Sequence, residues 1–177
     1  MVKPNEQGGP LIATSAAPTH LPPLGAHVRE EVGNELQTTL VELLDLTLVG
    51  KQLHWSIVGP RFHPLHEELD ALVDSWRELA DMVAERAVVL GFPPDGQAAA
   101  IASASELEPV ERGPVEDDAV VREVARRLAD AAERTRTRMD RTGDLDAASQ
   151  DVLIEVVREL EKQLWMVRAQ LPHEGGR

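Results

Sequence analysis

The sequence predicts an all-α protein, an antiparallel four-helix bundle with a short extra helix in the long crossover between helices two and three. Three observations predict it. Apolar residues recur at three-and-four spacing over four long stretches. Glycine and proline pairs separate those stretches. No segment alternates apolar and polar residues as a half-buried strand would. The 177 residues suit one domain with a tail, and a domain of that size buries roughly 70% of its unfolded-chain surface.

Residues 1–27 carry five prolines and three glycines with no sustained period, which predicts a flexible N-terminal arm. The bundle is predicted over 28–171. Helix one runs from Val28 to about Ile57, its buried face written by Val32, Leu36, Leu40, Leu43, Leu44, Leu48 and Leu53. Gly59-Pro60 breaks it, and His63-Pro64 opens helix two, which continues through Leu65, Leu69, Leu72, Trp76, Leu79 and Val83 to Val89. "LGFPPDG" stops it. The stretch 92–115 is too long for a tight connection, and "GQAAAIASAS" within it predicts the extra helix. Helix three, acidic at its start and arginine-rich later, ends at Gly143. Helix four runs from Asp146 to Leu171 and stops before Pro172, leaving 172–177, with His173, as a short tail.

Composition excludes several chemistries. The chain contains no cysteine, which removes disulfides, thiolate zinc sites, iron–sulfur clusters and a thiol nucleophile. Eighteen basic against thirty-one acidic side chains give a formal charge of −13, a balance that repels phosphate backbones and attracts cations. Three Trp, two Phe and no Tyr offer no stacking platform for single strands. The sequence has no apolar run of membrane-spanning length and no basic-then-apolar leader, so no membrane association is expected and a cytoplasmic location is.

Helix two carries two pairs of metal-type ligands at the four-residue spacing that shares a helix face, His66 with Asp70 and Asp81 with Glu85. Each pair alone is weak, because such clips occur by chance on solvated helices. Their relation says more. Eleven positions at about 100° each return Asp81 to nearly the azimuth of Asp70, while the rise separates them by roughly 16 Å. That distance far exceeds metal bonds of about 2.0 to 2.2 Å, so the two pairs of one chain cannot hold one ion. An antiparallel pairing of this helix with its own copy, about a two-fold axis near Ser75 and Trp76, brings His66 and Asp70 of one chain to Asp81 and Glu85 of the other and makes two equivalent sites. His54, returning across the Gly-Pro turn, completes the set. Two imidazoles and three carboxylates suit iron, manganese or zinc. No Glu-x-x-His occurs, as an intrachain di-iron bundle would need, and "HEELD" lacks the second histidine of a zinc protease.

Lys51, His54-Trp55, Gly59, Phe62, His66, Asp70, Asp81, Ala84-Glu85-Arg86 and Leu90-Gly91, with the ending "ELEKQLWMVRAQL", resemble the Dps family of ferritin-like mini-ferritins, named for DNA protection during starvation. The likeness covers about 28–171. It implies a ferritin-like bundle and a ferroxidase whose centre combines His54, His66 and Asp70 of one chain with Asp81 and Glu85 of its partner. It further implies two iron ions per centre, a hollow homo-dodecamer, and Fe(II) oxidised by hydrogen peroxide, preferably, or oxygen, with ferric mineral stored inside. The alternative function is a nucleoid-associated DNA binder whose iron role is secondary. Against it, Lys3 and Glu6 cancel in the arm, and Arg122 through Arg141 interleave with acids. A redox-inert protein holding zinc or manganese is the third possibility.

Three smaller expectations remain. Trp55 is read as a core tryptophan, its alternative being a packing or radical-trapping residue beside the centre. Asp140, Asp144, Asp146 and Asp151 line a cation pore in one reading and serve as ordinary helix caps in the other. His20, His27, Glu30 and Glu31 offer at most one further metal clip.

Overall fold

A computed structural model describes residues 20–171 of the chain. The predicted arm falls largely, and the predicted tail wholly, outside those residues. Five helices, α1 (Ala26–Ser56), α2 (Phe62–Val89), α3 (Ala98–Ala104), α4 (Asp117–Gly143) and α5 (Ala147–Arg168), account for most of it. The four long helices form a bundle, with α1 against α2 and α4 against α5 across short turns. Residues 20–25 precede α1 without helix, and Leu24 is packed on the core rather than loose.

The helices form where apolar periodicity supplies a face to bury. Val32, Leu36 and Leu43 from α1, Leu69, Val73 and Trp76 from α2, Val121 and Leu128 from α4, and Leu153 and Leu160 from α5 meet in one continuous core. Trp76, only 1% exposed, donates its indole N–H to Gln163 Oε1 at 2.7 Å, and Gln163 Nε2 donates to Ser75 Oγ at 2.9 Å. That pairing lets a buried tryptophan stitch α2 to α5 without an orphaned donor.

The ends are set by local chemistry. α2 closes with Gly91 at φ +76°, its N–H bonded to Val88 O at 2.9 Å and that of Phe92 to Ala87 O at 3.0 Å, the paired closure that a left-handed glycine permits. Asp146 caps α5, accepting from Ser149 N at 3.1 Å.

The crossover from α2 to α4 runs back along α1. Gln37 bonds the backbone of Asp95 at 2.8 Å in both directions, Ser105 after α3 reaches Asp45, and the path ends in a short parallel ladder. There β1 (Ile57–Val58) pairs with β2 (Val115–Glu116), Ile57 opposite Val115. Among the described residues, the ladder is the one regular element absent from the sequence prediction. Two residues are too few to show a period. Among the described residues, no helix is long and apolar enough to cross a membrane.

Candidate metal centre

The end of α1 and the start of α2 are held together by a turn built on residues far apart in sequence. Gly59 adopts φ +123°, and a Cβ there would lie 2.8 Å from the carboxylate carbon of Asp117, so the position requires glycine. Asp117 accepts from Arg61 N at 2.9 Å, while the Arg61 guanidinium reaches Asp118 and, at 3.5 Å, Asp117. The Arg61 backbone N–H holds the Asp117 carboxyl below the usual carboxylate range, against the opposing effect of burial.

This turn brings His54 and His66 face to face. Their rings stack at 3.5 Å between centroids. Nδ1 of His54 lies 3.0 Å from His66 O, and Nδ1 of His66 lies 3.0 Å from His54 O. A carbonyl oxygen only accepts, so each Nδ1 carries the proton and each Nε2 keeps its lone pair. Ligating histidines are commonly oriented this way, with the second nitrogen tied to a carbonyl. Phe62 tilts against His66 with centroids 5.0 Å apart.

Asp70 completes the local cluster. Donor atoms of His54, His66 and Asp70 all lie within 4.8 Å of one another. Lys51 Nζ donates to Asp70 Oδ1 at 2.5 Å, and that hydrogen bond is the main reason the Asp70 carboxyl sits below its ordinary range. His54 is buried, while Asp70 is half open to solvent. The donor set fits a divalent first-row ion by type, two imidazole nitrogens and a carboxylate, but three donors leave the coordination incomplete.

Asp81 and Glu85 lie further along α2, exposed, and outside that cluster. Trp76 belongs to the protomer's own core, as its place among the apolar positions of α2 leads one to expect, so it gives the height of the expected axis along the helix rather than a contact across it. The exposed residues of the stripe nearest its midpoint are Asp74 and Arg77, bonded to each other at 3.1 Å.

Trp55 departs from the expected core position. It is 69% exposed rather than a core residue, because the position after His54 turns about 100° outward; Lys51 Nζ stands 5.9 Å over its ring. Of the four pore candidates, Asp146 is turned inward as a cap and pairs with Arg86 at 2.6 Å, whereas Asp140, Asp144 and Asp151 are exposed. His27 lies 3.9 Å from Glu31, and no metal cluster gathers around it among the described residues. On α4, Arg126 and Arg127 pair with Glu123, Arg134 and Arg138 with Glu42, Arg136 with Glu161, and Arg141 with Glu35. Most of that helix's positive charge is therefore neutralised within the protomer.

The site residues that sequence reasoning gave no structural role were Lys51, Arg61 and Asp117. Lys51 sits one turn before Trp55 on α1, but its reach to Asp70 depends on the turn that folds α2 back.

Comparison with known proteins gives a consistent set. The family model described as a ferritin-like domain matches residues 33–173. A DNA protection during starvation protein of Mycolicibacterium smegmatis is 37% identical over 158 residues, covering 88% of this chain and 85% of its own. DpsA14 from Streptomyces coelicolor superposes with a TM-score of 0.84 at 31% identity, over 91% of this chain and 96% of that one. Dps from Microbacterium arborescens in its high iron form gives 0.79 at 28% identity, over 85% and 97%.

Proposed function

Because this chain belongs to the Dps family of the ferritin-like superfamily, we infer that it stores iron and protects against oxidative damage by oxidising Fe(II) at sites shared between subunits. The observation that carries this reading is the half-built donor set. His54 and His66 gather with Asp70, each ring tied to a backbone carbonyl through Nδ1 and keeping its Nε2 lone pair, and the remaining ligands, Asp81 and Glu85, face outward on the same helix. A second copy packed antiparallel on α2 supplies them.

With five protein ligands, three of them carboxylates, the centre has donors for two iron ions. Hydrogen peroxide is the preferred oxidant and oxygen the other. Two ferrous ions give one electron each, the O–O bond breaks, and two protons are taken up to form two waters, so no hydroxyl radical is released. The histidines and Asp70 bind and orient the ferrous substrate, while Lys51 faces the carboxylate that receives it. The ferric product collects as mineral within a hollow homo-dodecamer, in the cytoplasm.

DNA binding is not part of this function. A net charge of −13 and the internally paired arginines of α4 leave no field for phosphate contacts.

The test is stopped-flow oxidation of Fe(II) by peroxide. The native protein gives a rapid rise in ferric absorbance, and the variant combining His66→Ala and Asp70→Ala loses it. An unchanged rate in that variant refutes the site.

A further inference from the structure

We propose that Asp74 and Arg77 set the register of the two-fold contact, each leaving its own-chain partner to pair with the opposite residue type on a second copy. The proposal rests on the antiparallel α2 pairing given above and adds the charges that align it.

The arithmetic of the stripe leads to these two residues. Matching His66 with the partner's Glu85 and Asp70 with the partner's Asp81 places Asp74 opposite the partner's Arg77, and Arg77 opposite the partner's Asp74. At about 100° per residue, His66, Asp70, Asp74, Arg77, Asp81 and Glu85 all fall within an arc of roughly 100°. The two residues at its centre are thus of opposite sign, and the two-fold converts one such pair into two.

Within the protomer the Asp74–Arg77 bond is weakly held. Oδ1 and Nη1 stand 3.1 Å apart with side chains 71% and 57% exposed. An exposed pair three residues apart on one helix contributes little, so exchanging it for an interchain pair costs little. At a packed contact the same charges are shielded from water, interact more strongly and exclude wrong registers. The surroundings fit burial by a copy. Arg77 and Asp81 rim an open groove whose floor is Leu40, Leu44, Ala80 and Ala84, and Leu48 and Val88 stand exposed nearby on the two helices.

The residues at the middle of the stripe bind nothing themselves. They position Asp81 and Glu85 over the partner's histidines, since a slip of one helical turn moves each acid by about 5.4 Å, more than twice a metal–ligand bond.

Charge reversal tests this. Asp74→Arg alone faces Arg77 with arginine, and Arg77→Asp alone faces Asp74 with aspartate, so each is expected to lose the native assembly in native mass spectrometry while keeping its helix content. The two single variants coexpressed have complementary charges only between chains; they are expected to recover assembly with both chains in equal amount, and so is the double variant. Full assembly of either single variant, or a coexpressed pair no better than its components, overturns the proposal. Fe(II) oxidation by the native protein and by the variant combining Asp81→Ala and Glu85→Ala is read in parallel. If that variant loses activity while the charge reversals have no effect, the register assignment falls and the shared-site function stands.

Discussion

His54 and His66 hold each other through reciprocal bonds, the Nδ1 of each 3.0 Å from the backbone carbonyl of the other. Both imidazoles are thereby committed to the tautomer that leaves Nε2 free, before any ion arrives. Preorganisation of this kind removes one ordering step from binding.

The tautomer is directly observable. In the protein labelled with nitrogen-15 histidine, solid-state NMR at pH 8 should show protonated Nδ1 and bare Nε2 for both residues. A majority of the opposite tautomer at either ring contradicts the derived donor geometry.

The turn that aligns the two rings should be intolerant of a methyl group. Gly59→Ala places a Cβ 2.8 Å from the Asp117 carboxylate carbon at φ +123°, which costs roughly 1–3 kcal/mol from backbone strain alone. Thermal melting should show the loss, and ferrous oxidation should slow with it, because the same turn sets the separation of His54 and His66. A variant as stable and as fast as the native protein would show that the turn does not position the centre.

Asp146 should contribute to acid sensitivity. Burial raises its carboxyl pKa, but hydrogen bonds from Ser149 and Arg86 outweigh that and leave it lowered. A lowered pKa means the folded state favours the charged form, so the contribution is complete above the ordinary carboxylate value of about 3.9 and is lost as pH falls through the lower folded value. Asp146→Ala should cost about 0.5–2 kcal/mol through loss of the cap. It should also flatten the fall in stability below about pH 4. Denaturant melts at pH 7 and pH 3 check both: an equal deficit at the two pH values would contradict the assignment.

Gln163→Leu leaves the Trp76 indole N–H buried without an acceptor, a loss of about 1–3 kcal/mol. Trp76→Phe in the same background removes the donor and should recover part of that penalty. Urea midpoints of the single and double variants measure the coupling, and strict additivity would show that the bond contributes nothing.

The long helices were legible because each buries a face, and burial writes the three-and-four period into the chain; α1 from Val32 to Leu53 and α5 from Leu153 to Leu160 are examples. The cluster of His54, His66 and Asp70 was legible from spacing, since residues four apart share a helix face and the Gly-Pro turn returns His54 to them. The β1–β2 ladder was not, since its two-residue strands carry no period and its partners meet only after the crossover has run the length of α1. Arg61 and Asp117 were hidden because their contact spans most of two helices and a loop. Trp55 was misassigned because residue type alone placed it in the core, whereas Trp76, on the apolar stripe of α2 and roughly 80° outside the ligand arc, is buried as its spacing predicts.

The central claim is that the ligands of each centre come from two chains, and complementation measures it most directly. His66→Ala with Asp70→Ala disables the histidine half of every site, and Asp81→Ala with Glu85→Ala disables the carboxylate half. Each variant alone should fail to oxidise Fe(II). Coexpressed in equal amounts, they should regain about a quarter of the native rate, because half the random dimers are mixed and each mixed dimer contains one intact site. No recovery in assemblies proven to be mixed would mean that each chain must supply all its own ligands, and the shared-centre account would be wrong.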